Sequence, residues 1–219
     1  MTPFILYGGT FDPVHEGHLA IGRAIADAFD TPVHFLPAAD PPHRLPPGAS
    51  AEQRATMLEL ATAGDPRLIV DRRELFRSGP SFTVDTLQQV RGELGQSASI
   101  IWALGLDSLV QLDTWHDWRR IFSLAHVLGV QRPGTAVGKS WLRQRAAAVY
   151  PELAPRWRRF DQLPGHPHGF YASLPMHPLR AESATDVRRR IAAGEPWADC
   201  VPKAVADYIG TAGLYRRGT

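Results

Sequence analysis

Phe4-Ile5-Leu6-Tyr7-Gly8-Gly9-Thr10-Phe11-Asp12-Pro13-Val14-His15-Glu16-Gly17-His18 decides the fold. Its apolar opening, Phe4–Tyr7, reads as a buried strand, and the apolar-periodic stretch Leu19 to Phe29 reads as a helix. Between them lie a glycine turn and two histidines spaced i and i+3 at the helix entry. Gly8 and Gly9 carry no Cβ, so their backbone is expected to approach a ligand closely. A helix start offers unpaired N–H groups and the positive end of the helix dipole, both suited to phosphate. His15 and His18 would add two N–H donors on one side of that start. A polyphosphate is the expected ligand. Two other readings compete, since Gly-Gly after a strand also serves as a plain tight turn and His-x-x-His also ligates zinc. Zinc lacks its partners, because no His-Glu-x-x-His occurs and the chain has one cysteine. The dinucleotide fingerprint is absent as well, with Thr10 standing where its second glycine belongs.

Working outward, strand-like and helix-like segments alternate, which argues for a Rossmann-like α/β fold, a doubly wound parallel sheet with helices on both faces. Strands are expected at Val33–Leu36, Leu68–Val70, Ser99–Leu104, Ala125–Val130 and Phe170–Leu174. Helices are expected from a Ser50/Gln53 capping box through Ala61, and over Thr83–Leu94, Trp115–Phe122 and Ser140–Tyr150. Two more, Ala184–Ala193 and Pro202–Ile209, form a small C-terminal helical subdomain. The division expected is a nucleotide-binding core over 1–180, with a basic, proline-broken excursion at 134–167, and a helical part over 181–219 that completes the site. Pro37 to Ser50 is too rich in proline for regular structure. Open α/β sheets bind ligands at the carboxyl ends of their strands, and Gly8–His18, Pro37–Arg44 and Gly105–Asp107 all fall there, so one crevice is expected.

The 219 residues, 44% of them hydrophobic, suffice for one good core and a small addition. Lys plus Arg number 24 against 22 Asp plus Glu, a balance that gives no electrostatic case for nucleic acid as the main partner. The single Cys200 excludes an intramolecular disulfide and suits a reducing cytoplasm. No basic region leading into an apolar run opens the chain, and no apolar run approaches the ~20 residues needed to span a bilayer. A cytoplasmic protein without membrane partners is expected; the oligomeric state stays open, a homo-oligomer included.

Four further segments carry polar groups toward that crevice. Pro41-Pro42-His43-Arg44 is a stiff loop, so His43 and Arg44 would lose little ordering entropy, and Arg44 suits a bidentate phosphate contact; a solvated turn is the plainer reading. Gly79-Pro80 is a turn, with Ser81 or Thr83 capping the next helix. Ser183 and Asp186 form a capping-box-like pair, while Thr185 and Arg188 sit one turn into that helix, placed to grip phosphates. Of six tryptophans most serve packing, though an indole face can stack on a pyridine ring. Gly134 to Ser140 imitates a P-loop, but Pro133 occupies the place of its first glycine. The Arg156, Arg158, Arg159 cluster reads as a solvated face, and His166-Pro167-His168 as a surface turn.

His15-Glu16-Gly17-His18 resembles the His-x-Gly-His signature of the nucleotidyltransferase superfamily, related to class I aminoacyl-tRNA synthetases. The longer run from Gly8 to Leu19 resembles bacterial nicotinate-mononucleotide adenylyltransferases. The resemblance continues through Pro41–Arg44, Glu74–Leu87, Gly105–Leu109 with Trp115, and Ser183–Arg188, to the Gly213-Leu214-Tyr215 ending; 134–167 falls outside it. It implies adenylyl transfer from ATP to nicotinate mononucleotide with Mg²⁺ present. It implies catalytic roles for Thr10, His15, His18 and Arg44. ATP contacts are implied for Gly8, Gly9, Thr10, His15, His18, Ser183, Thr185 and Arg188. Asp12, His43, Arg44, Thr83, Asp107 and Trp115 are implied for the mononucleotide, with Asp107 facing either a nucleoside hydroxyl or the magnesium. The superfamily's Ile-Ser-Ser-Thr-x-Ile-Arg element departs here at Glu182 and Ala184, which removes one hydroxyl contact. A phosphopantetheine adenylyltransferase or a cytidylyltransferase is the nearest alternative, opposed by the Gly79–Leu87 segment and Trp115. A non-catalytic nucleotide sensor and a kinase dependent on Lys139 are more distant ones.

Overall fold

The structure, a computed structural model, describes residues 2–39, 48–77 and 79–216. In chain order it comprises β1 (Phe4–Gly9), α1 (Glu16–Phe29), β2 (Val33–Pro37), α2 (Ala51–Thr62), β3 (Leu68–Val70) and α3 (Thr83–Leu94). Next come β4 (Ile100–Gly105), α4 (Leu106–Leu109), α5 (Ile121–Leu124), β5 (His126–Val130), α6 (Lys139–Arg145) and α7 (Tyr150–Arg156). The last elements are β6 (Tyr171–Leu174), α8 (Ala184–Ala193) and α9 (Lys203–Ala212). The strands form one sheet in the order β3-β2-β1-β4-β5-β6, with every pairing parallel. That is the doubly wound arrangement expected, and its strand order reverses between β1 and β4.

Successive residues of a strand face opposite sides of the sheet, so each central strand feeds two cores. Ile5 and Tyr7 join a cluster with α1, α8 and α9, whereas Leu6, Ile100 and Trp102 join a second cluster with α3 and α5. Val187, Val205 and Ile209 of the last two helices lie in the same cluster as Ile5 and Leu19. No described helix is long and apolar enough to cross a membrane.

The Ser50/Gln53 capping box is present, with Gln53 N–H donating to Ser50 Oγ at 3.2 Å and Ser50 N–H to Gln53 Oε1 at 2.9 Å. Several expectations need correction. Trp115–Phe122 is not one helix, because Asp117 takes a left-handed φ of 46° that interrupts the ladder; a 3₁₀ turn at Trp118–Arg120 then leads into α5. Ser140–Tyr150 is not one either. It ends at Arg145, and Pro151 stands in the first turn of α7, where a residue lacking an N–H starts a helix readily. The 134–167 excursion packs on the body of the protein, with Leu142, Val149 and Leu153 buried in the second cluster. Arg158 and Arg159 are exposed, as a solvated face implies, and the cluster is also paired, Arg156 with Glu152, Arg158 over the Phe170 ring and Arg159 with Asp161. Ser183 is the N-cap of α8 but makes no side-chain cap bond, and the Asp186 carboxylate turns to Arg189 and Arg190. Neither Ser81 nor Thr83 caps α3, whose N-cap is Phe82.

His126 on β5 is fully buried, accepts the Phe170 N–H at Nδ1 (3.2 Å) and hence donates from Nε2 to the His166 carbonyl (2.9 Å). Burial lowers its pKa to about 4, against the contact with His166, which raises it. Between that value and the unfolded 6.5 the unfolded chain binds the extra proton, so stability falls as pH drops through this window. His126 is expected to remove about 2 kcal/mol of unfolding free energy at pH 5 relative to neutral pH. Urea unfolding at pH 7 and pH 5 tests this, with His126→Asn, which keeps an acceptor for Phe170, expected to flatten the loss by that share. An unchanged acid loss in the variant overturns the assignment.

Candidate active site

A cleft of about 490 Å³ opens at the carboxyl ends of β1, β4 and β5, beside the point where strand order reverses. It gathers Gly8, Gly9, Thr10, Asp12, His15 and His18 with Thr83, Asp107, Trp115, Ser183, Thr185 and Arg188. Every described candidate is therefore in one place; His43 and Arg44 lie outside the described residues. Residues that the sequence did not single out also line it, among them Tyr7, Glu74, Trp102 and Arg132.

The two glycines also have a packing role that the sequence did not indicate. A Cβ on Gly8 would lie 2.3 Å from the Trp102 indole, and one on Gly9 would lie 2.8 Å from the Phe11 ring. Their missing side chains admit the protein's own aromatics, which form the cleft floor. Phe11 itself takes a left-handed φ of 51°, uncommon for a bulky residue, and its ring packs edge-on to His18 at 5.0 Å.

His15 is the N-cap of α1, and His18 stands three residues on. The His15 backbone N–H donates to His18 Nδ1 at 3.3 Å, so a neutral His18 carries its proton on Nε2 and remains a donor there. The two rings stack at 3.7 Å. His15 is 1% exposed, and burial, reinforced by the Arg132 cation, lowers its pKa to about 3. It is therefore neutral at pH 7 and can serve as the N–H donor expected from sequence. Its Nδ1 has no hydrogen-bond partner among the described residues, and a Cβ on Gly17 would lie 3.0 Å from that atom.

Arg132 lies two residues past the end of β5 and approaches Asp107 with Nη1 to Oδ2 at 3.6 Å. Gly105 makes room for both, since a Cβ there would fall 2.8 Å from Arg132 Cδ and closer still to Asp107. The signal that could have found Arg132 was its place, a cation two residues past the carboxyl end of a strand in a sheet that binds ligands at that end. Among the described residues no group of three or more histidines, cysteines or carboxylates could hold a metal ion. Asp107 beside a guanidinium does not fit a dedicated magnesium site.

Asp12 proves to be a junction. Its Oδ2 accepts the Gly48 N–H at 2.8 Å, and its Oδ1 accepts the Ala49 N–H at 3.1 Å and the Tyr215 hydroxyl at 2.7 Å. Arg188 donates to the Asp12 carbonyl and stands 3.6 Å from Oδ2. The carboxylate for which a substrate contact was expected thus already accepts three hydrogen bonds from the protein. Fully buried Arg54 complements it, donating to the carbonyls of Thr10 (2.7 Å), Ala39 (2.9 Å) and Ala49 (3.3 Å). At the other wall Glu74 is buried and accepts the Thr86 hydroxyl at 2.7 Å; burial pushes its carboxyl up, opposed by that hydroxyl and by Arg77. Thr83 opens α3 against this wall, with half-buried Trp115 lining the same cleft.

The cytidylyltransferase-like family model matches residues 6–190. A Stenotrophomonas maltophilia protein named probable nicotinate-nucleotide adenylyltransferase is 50% identical, with 98% of this chain and 97% of that protein covered. A Laribacter hongkongensis protein of the same name is 42% identical over 96% of this chain and 93% of its own length. Among solved structures, the Plasmodium falciparum nicotinic acid mononucleotide adenylyltransferase complexed with NaAD superposes with a TM-score of 0.75. It covers 98% of both chains at 15% identity, a likeness of fold.

Proposed function

The chain belongs to the nicotinate-nucleotide adenylyltransferase family, and we propose that it joins ATP and nicotinate mononucleotide into nicotinate adenine dinucleotide, releasing pyrophosphate. The observation that carries this is the single cleft. One end offers phosphate donors from two helix starts, Thr10, His15 and His18 at α1 and Ser183, Thr185 and Arg188 at α8. The other offers an indole, Trp115, and a helix start with a hydroxyl, Thr83. A triphosphate and an aromatic mononucleotide fit those two ends, with Gly8 and Gly9 between them.

In this reading the attacking group is already a phosphate anion, so no strong base is required. Catalysis consists of in-line alignment and of donors aimed at the charge on the departing pyrophosphate. No covalent intermediate forms. His15 and His18 act as neutral donors, Thr10 adds a hydroxyl, and Arg132 and Arg188 supply positive charge, with Arg44 as a further cation. The 181–219 segment completes the ATP end through α8. Mg²⁺ enters as part of the ATP complex rather than on a protein cage, and the compartment is the cytoplasm. Protein incubated with MgATP and nicotinate mononucleotide is expected to release pyrophosphate and form the dinucleotide; no release overturns the reading.

Trp115→Ala separates the two ends. Stacking contributes about 1 kcal/mol, so the variant is expected to raise KM for the mononucleotide about fivefold and leave KM for ATP unchanged. A lowered melting temperature with both KM values raised equally would make Trp115 a packing residue instead.

A further inference from the structure

Tyr215 lies after α9, far along the chain from β1, yet its hydroxyl donates to Asp12 Oδ1 at 2.7 Å. Its ring lies close enough against Gly48 that a Cβ there would come within 2.9 Å of it. The residue holds a left-handed φ of 63°, uncommon for tyrosine, so the surrounding contacts outweigh a local preference. Asp12 is 5% exposed and also anchors Arg188, the cation of α8 that lines the cleft. Arg188 remains one-third exposed and makes its other contact, to Thr185 Oγ1, at 3.5 Å. The guanidinium is thus aimed chiefly by Asp12, and Asp12 in turn is fixed by Tyr215 and by the Gly48 and Ala49 N–H groups. Burial and the Asp12 charge both raise the Tyr215 pKa, so the hydroxyl stays a donor across the working pH range.

We infer that Tyr215 is a positioning residue, which acts through Asp12 to hold Arg188 where the triphosphate binds. The inference rests on the ATP end assigned above. It identifies the segment after α9 as part of the machinery that orients the nucleotide, although Tyr215 itself touches no substrate.

The test is a double-mutant cycle of Tyr215→Phe and Arg188→Ala, with KM measured separately for MgATP and nicotinate mononucleotide. Phenylalanine keeps the ring against Gly48 and removes only the donor. Tyr215→Phe is expected to raise KM for ATP about fivefold, less than the full loss of a charged hydrogen bond because the effect is indirect. KM for the mononucleotide stays within twofold, and the penalty disappears in the Arg188→Ala background. A penalty that persists there, or that falls on both substrates equally, overturns the inference. Arg188→Ala damaging ATP use while Tyr215→Phe is silent overturns the tether and leaves the proposed function standing. An Arg188→Ala variant with normal ATP use overturns both the tether and the assignment of the ATP end.

Discussion

His18→Ala is expected to lower kcat about a hundredfold while KM for nicotinate mononucleotide changes little. His18 lines the cleft at the start of α1 and, with Nδ1 occupied by the His15 N–H, keeps Nε2–H as a donor. Loss of one preorganised donor to charge developing on a leaving group costs ~3 kcal/mol, and that interaction exists mainly in the transition state. The alanine also uncaps the His15 N–H, so a structural loss has to be separated from a chemical one. His18→Gln does this, because a glutamine at the third helical position can reach back to the N-cap N–H as in a capping box. The glutamine variant is expected to keep the parent melting temperature and, because its NH₂ remains a donor, to recover part of the kcat that the alanine variant loses. Activity within a few-fold of the parent in His18→Ala removes His18 from the transition state.

Much of this arrangement was legible in the sequence because strand ends are punctuated. Phe4–Gly9 and Ile100–Gly105 are apolar runs ending in glycine, and the residues just beyond both glycines, Thr10 to Asp12 and Asp107 with Ser108, line the cleft. The Thr83 and Ser183–Arg188 positions were legible as helix starts, although the caps themselves were misread. A capping pattern states only that a side chain can bond its own helix, and Asp186 found stronger partners in Arg189 and Arg190. Long-range roles left no local trace. Asp12 is tied to residues 36, 37 and 203 positions away, and Arg54 to a carbonyl 44 positions away, separations at which no periodicity or motif speaks. The charge state of His15 was hidden for the same reason, being set by burial and by Arg132, which lies in a different loop. Broken helices were missed where one residue decides, as Asp117 does through its left-handed backbone.

Nicotinate mononucleotide is expected to be preferred over its amide counterpart by at least about tenfold in kcat/KM, the equivalent of 1.36 kcal/mol. The two substrates differ only in a carboxylate against a carboxamide, so the preference has to come from the groups that face that substituent. Thr83 begins α3 beneath the cleft, and the N-cap, Phe82, supplies no side-chain bond to the first turn. The helix start therefore keeps backbone N–H groups and the Thr83 hydroxyl for an anion, and the dipole favours one. A carboxylate accepts from all of these, and full charge strengthens each bond. The amide's NH₂ would face donors instead and leave groups unpaired, a mismatch of ~1–3 kcal/mol. Glu74 on the same wall opposes this by placing a second carboxyl nearby, but the Thr86 hydroxyl binds it at 2.7 Å and Arg77 reaches that hydroxyl at 3.1 Å. With its charge answered from behind, the helix start decides the sign. Thr83→Ala should narrow the preference only partly, since the backbone donors remain. Steady-state rates of pyrophosphate release with the two mononucleotides measure it directly. Equal kcat/KM values would mean that this turn does not read the carboxylate, and that the Gly79–Thr83 segment serves only to start α3.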